Sequence, residues 1–191
     1  MDSFKKGFTL IELLVVIAIL AVLATVIVVI INPAELLRQA RDATRVSDMA
    51  ALNSAVALYL SDVATPGLGG ASNAACSVLA CKMTSATMTS SSPFSTTPAC
   101  SSVTTTTPDG TGWVTVDFTK ISSGSPLSRL PLDPANTGTY MYVYGCNGLG
   151  YKLATAMEST KYSNPNTGVM RNTYDGGTRA DFYEVGNSLS L

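Results

Sequence analysis

Glu12 is the one charged residue in a run of 24, Phe8 to Ile31, that reads FTLIELLVVIAILAVLATVIVVII. An ionisable side chain in so apolar a segment is expensive to hold in a membrane and calls for a partner. Just before the run the chain reads KKG, so Lys5, Lys6 and Gly7 precede Phe8. Cleavage between Gly7 and Phe8 would create a positive amine on Phe8. Glu12 lies one helical turn from it, within neutralising reach of that amine in the same or a neighbouring copy.

Little else in the chain suggests chemistry. There is no histidine, which removes the usual general base, proton shuttle and commonest metal ligand. No nucleophile–histidine pair and no phosphate-binding glycine loop is visible, so neither an enzyme nor a cofactor is expected. Asp175-Gly176-Gly177 with Asp181 could offer carboxylates and carbonyls to calcium, which takes roughly six to eight oxygens. The same D-G-G string is also an ordinary tight turn, and Asp133 and Asn136 in DPAN read as turn residues. Cys76, Cys81, Cys100 and Cys146 are even in number, and disulfides suit an exported chain. Their three possible connectivities stay open. Cys76 with Cys81, a local loop, and Cys100 with Cys146 is the pairing expected; a zinc site competes, but paired C-x-x-C knuckles are missing.

These residues need elements to position them. As a helix, Phe8 to Ile31 would extend ~36 Å, enough to cross a hydrocarbon core of ~30 Å. Lys5 and Lys6 would keep its N-terminal end in the cytoplasm. A secretory signal peptide would have a shorter apolar core followed by a small-residue cleavage site, whereas this run continues to Asn32-Pro33. Proline there predicts a helix break at Asn32 and Pro33.

The string KKGFTLIELLVVIAIL closely resembles the N-terminus of type IV prepilins and pseudopilins. The resemblance rests on the basic leader, Gly7, Phe8, Thr9, Leu10, Glu12 and the unbroken apolar helix. It implies that a prepilin peptidase cuts after Gly7 and methylates the Phe8 amine, and that Glu12 aligns incoming subunits. It also implies a single-pass inner-membrane protein with its head outside, extracted from lipid by an assembly ATPase and a platform protein into a surface filament of its own copies. LPLDPANTGTYMYVY, YKLATAMES and DGG…YEVG are similar to the major pseudopilins of type II secretion, whose comparable C-terminal loop binds calcium. The functions implied are a filament subunit, a secretion pseudopilin, or a minor pilin serving as adhesin or DNA-uptake module.

The remaining organisation follows from periodicity and composition. Residues 1–7 read as leader and 8–31 as membrane and filament-core helix. Residues 32–62 read as the amphipathic helix of the head, with Val46, Met49, Ala50, Asn53, Val56, Ala57 and Leu60 as its apolar face. Arg38, Arg41 and Arg45 read either as a solvated face or as contacts to lipid head groups or a neighbour's acids. Asp42 can pair with Arg38 or Arg45 at helical spacing. Residues 63–112 read as a Ser/Thr-rich variable loop region, solvated or O-glycosylated. Residues 113–191 read as antiparallel sheet and C-terminal loop, with strands at GWVTVDF, TYMYVYG and GYKLATAM and a fourth at 182–185. The predicted fold is α+β, a long helix on three to four antiparallel strands. Lysine and arginine number 12 against 13 acids. Lys82, Lys120, Arg129, Lys152, Lys161, Arg171 and Arg179 are spread without a cluster, so nucleic acid is not an expected partner.

Overall fold

A computed structural model describes residues 7–70, 73–85, 87–88, 92–94, 100–164, 166, 168 and 175–191, with only the backbone at 77 and 78. Lys5 and Lys6 of the expected leader, Arg171 and parts of the Ser/Thr-rich stretch lie outside the described residues. The chain divides into two compact units, Met1–Leu37 and Arg38–Leu191.

In the first unit, helix α1 spans Leu10–Ile31 and none of its residues is buried. Among the described residues, one helical stretch, within Leu10–Asp62, is long and apolar enough to cross a membrane; its most apolar window has mean hydropathy 3.5. Helix α2 spans Pro33–Asp62. Asn32 separates the two helices in left-handed conformation, φ 47°. Proline disfavours helical geometry in the residue before it, while its own fixed φ and missing donor suit the first helical position. Asparagine is among the few side chains that tolerate the left-handed region. Its carbonyl accepts hydrogen bonds from the Glu35 and Leu36 amides at 3.0 and 3.3 Å and so starts α2.

The second unit is α+β. Its sheet contains β1 (Cys76–Met83), β2 (Ser101–Ser102), β3 (Tyr142–Gly148), β4 (Gly150–Thr155) and β5 (Tyr183–Gly186), in the order β2-β1-β3-β4-β5. The β1–β2 pair is parallel and the others are antiparallel. Side chains alternate across this sheet as the pleat requires. Tyr142, Tyr144 and Cys146 of β3 and Tyr151 and Leu153 of β4 meet Met49, Leu52, Val56 and Tyr59 of α2 in the main core. Cys81, Met83, Phe94, Met141 and Val143 form a second cluster. Gly145 lies in this second layer, where a Cβ would sit 2.3 Å from the Phe94 ring, so only glycine lets that ring lie on the sheet.

Four sequence expectations change. The sheet has five strands, because β1 and β2 arise inside the segment read as a variable loop. GWVTVDF is not a strand. Trp113, Val114, Val116 and Phe118 are all buried, but the Trp113 and Phe118 amides bond to the carbonyls of Thr105 and Pro108 in the preceding loop. A short 3-10 turn, Phe118–Lys120, follows. The buried face of α2 is Asp42, Arg45, Met49, Leu52, Ala55, Val56 and Tyr59, while Ala50 and Ala57 are exposed. The disulfides are Cys76–Cys146 and Cys81–Cys100, not Cys76–Cys81 and Cys100–Cys146. Cys76 and Cys146 belong to the main core cluster and Cys81 and Cys100 to the second, so Cys76 and Cys81 of one strand serve different packing layers.

Candidate functional site

The N-terminal end of α1 is organised by two side chains. Thr9 is the N-cap, its hydroxyl accepting from the Glu12 amide at 3.3 Å. Glu12 reaches back, and its Oε2 accepts from both the Thr9 amide and the Thr9 hydroxyl at 2.8 Å. This reciprocal box satisfies amides that a helix start leaves open. Its result is to hold the Glu12 carboxylate at the positive end of the helix. Phe8 is 89% exposed. A Cβ added at Gly7 would meet no described atom within 4 Å, and its φ is not in the left-handed range. No contact within the described chain therefore requires glycine at position 7.

A second polar constellation sits in the head, where sequence reading left a solvated helical face or contacts to lipid head groups or a neighbour's acids. Arg45 is fully buried. Its Nε and Nη2 grip Asp133 at 2.6 and 2.8 Å, Nη1 binds Asp42 at 2.7 Å, and Nη2 also binds Glu158 at 2.6 Å. Arg41 donates from Nε to Glu158 at 3.0 Å. Asp42 accepts from the Glu158 and Ser159 amides, and Ser159 caps the short helix α3, Thr160–Ser163. Asp133 is the turn residue expected of it, accepting from the Ala135 and Asn136 amides, but it also carries one arm of the arginine. Asp48 accepts from the Tyr142 hydroxyl at 2.7 Å. Burial works against the Arg45 charge, yet the bonds to Asp133, Glu158 and Asp42 outweigh it and raise the guanidinium pKa further. The sequence signal was present: Asp42 and Arg45 extend the Met49, Leu52, Val56, Tyr59 stripe at three- and four-residue steps.

The Arg41 hydrogen bond, followed by that from Arg45, holds the Glu158 carboxyl below its ordinary 4.5. A carboxylate depressed by folding adds stability above its unfolded pKa, and that stability is lost as pH falls through the folded value. The stability gap between the native chain and Glu158→Gln is therefore expected to be constant above about pH 5 and to close as pH falls below 4.5. Denaturant titrations at several pH values measure it, and a gap independent of pH would contradict the assignment.

Asp175 and Asp181 each have partners of their own. Asp175 accepts from the Gly177 and Glu184 amides at 2.8 and 3.0 Å, and Asp181 pairs with Arg179 at 3.1 Å. Burial raises the Asp175 carboxyl pKa against those bonds. Among the described residues no group of three or more histidine, cysteine, aspartate or glutamate side chains could hold a metal.

Residues 2–28 match the family described as the prokaryotic N-terminal methylation motif. No curated protein and no solved structure matches the chain. The matched residues span the Gly7–Phe8 bond, the Thr9–Glu12 cap and most of α1, and the α+β architecture beyond them is consistent with the pilin fold. The chain thus carries, at residues 2–28, the class III signal peptide of type IV pilins.

Proposed function

We propose that the chain is a structural subunit of a type IV pilus or a related pilin-like filament. The observation that carries this reading is the Gly7–Phe8–Thr9–Glu12 arrangement at the head of an apolar helix with no buried residue. So large an exposed apolar surface needs lipid or other copies of itself to cover it. Before assembly the bilayer covers α1 and the head lies outside. Cleavage after Gly7 frees the Phe8 amine, the peptidase methylates it, and Glu12 supplies its counter-charge. The helices of many copies then bundle into a core. Extraction from the bilayer falls to a platform protein and an assembly ATPase. The methylation motif points to a structural protein and not to an enzyme.

The same helix would serve a secretion pseudopilin, or a minor pilin acting as adhesin or DNA-uptake module. Mass spectrometry of sheared surface filaments separates these roles. As main subunit, this chain is expected to dominate the preparation. Its absence there, together with loss of protein secretion on deletion, would assign it to a secretion system instead.

A further inference from the structure

Lys152 of β4 is fully buried, and no feature of the N-terminal motif accounts for it. Burying an ammonium costs several kcal/mol unless its donors and charge are met. Here they are. Nζ donates to the carbonyls of Pro93 at 2.7 Å and Leu189 at 3.2 Å and to a main-chain oxygen of Leu191 at 2.6 Å, which uses its three hydrogens. A fourth oxygen, Glu184 Oε1, accepts no hydrogen bond but faces the ammonium at 2.8 Å, so that contact is a charge pair. The Phe94 ring centroid lies 5.1 Å from Nζ.

Main-chain oxygens and the Glu184 carboxylate are ligands of the kind a hard cation also takes, here converging on an ammonium. The contacts reach further through Glu184. Its Oε2 accepts from the Thr178 and Arg179 amides at 2.6 and 3.0 Å. The ammonium therefore ties together the Pro93–Phe94 stretch of the insert, strand β5, the loop at 178–179 and the segment 189–191.

We propose that Lys152 is a tethered cation, filling an oxygen cage from within and locking the C-terminal loop of the head without a metal ion. The position explains a lysine in the middle of a strand whose neighbours Tyr151, Leu153 and Ala154 are all buried. It also explains why Glu184 is fully buried one residue into an edge strand.

The test is hydrogen exchange on the full chain in detergent micelles, with calcium chloride or with EDTA, for the native protein and Lys152→Met. Methionine keeps most of the volume and removes the charge. In the native protein, amides at 187–191 are expected to exchange at the same rate under both conditions. In Lys152→Met they should exchange roughly tenfold faster or more, while the β3–β4 hairpin is unchanged. Native exchange that slows with calcium, or a variant that exchanges like the native chain, would overturn the proposal. Should the variant not fold, the native protein still decides. A slowly exchanging Lys152 ammonium proton signal is expected by NMR, and its absence would contradict the cage.

Discussion

Replacing Glu12 with alanine will leave the chain in the membrane and abolish filament assembly. Insertion depends on the apolar length of α1, which the substitution slightly increases. In the proposed filament, assembly depends on meeting the positive Phe8 amine. Two unit charges 4 Å apart are worth about 4 kcal/mol at an effective dielectric near 20, and each ~1.4 kcal/mol is tenfold in an equilibrium constant. The loss in docking is thus roughly a hundred- to a thousandfold, after allowance for the cost of desolvating the pair. Membrane fractionation should show Glu12→Ala at normal level in the bilayer, and shearing should recover almost none on the surface. Glu12→Gln is the sharper control: it can keep a hydrogen bond to Thr9 but not the charge, so it should assemble as poorly as alanine. Normal filament yield from either variant would remove Glu12 from the mechanism.

The second large effect lies in the head. Arg45→Ala removes one fully buried cation and leaves Asp42 and Asp133 buried, with Glu158 keeping only Arg41. Breaking a buried ion pair by removing one partner costs about 3–5 kcal/mol. For a domain of this size each kcal/mol shifts Tm by about 2–4 °C, so a drop of roughly 6–20 °C is expected. Arg45→Lys should recover only part of it, because lysine cannot make the two-armed grip on Asp133 while reaching Asp42 and Glu158. Calorimetry of the full chain in micelles measures both variants. A Tm within 2 °C of native for Arg45→Ala would mean that the network contributes little.

Arg45 also shows where sequence reading stops. The N-terminal motif was legible because its chemistry is contiguous: Gly7, Phe8, Thr9 and Glu12 lie within one and a half helical turns, and the apolar run after them needs no partner to be recognised. The charges of α2 are different. Their meaning depends on Asp133 and Glu158, which lie 88 and 113 residues away from Arg45. Read alone, Asp42 and Arg45 fall off the apolar face, towards water or an outside partner, and the expected face turned towards Ala50 and Ala57. The true stripe runs from the charges into Met49, Leu52, Val56 and Tyr59.

The sheet was half legible for a related reason. TYMYVYG and GYKLATAM carry alternation and aromatic or β-branched residues, and they became β3 and β4 with a tight turn between them. CSVLACKM has little β-branched content, yet it forms β1 between β2 and β3, and both disulfides involve it. GWVTVDF has the strand pattern but finds its backbone partners in its own preceding loop. Local propensity is weak against such tertiary pairing. Lys152 was equally silent, because its oxygen cage draws on three separated stretches of chain.

Processing at the Gly7–Phe8 bond is the first step of the proposed function. Co-expression of the chain with a prepilin peptidase, followed by intact-mass and N-terminal peptide spectrometry, reads it directly. The predicted product has 191 − 7 = 184 residues and begins with N-methylated Phe8. Gly7→Val should keep the full-length mass with the head still folded, since no described atom lies near a Cβ at position 7. A native chain that keeps residues 1–7 beside an active peptidase, or one cut at any other bond, would contradict the central claim.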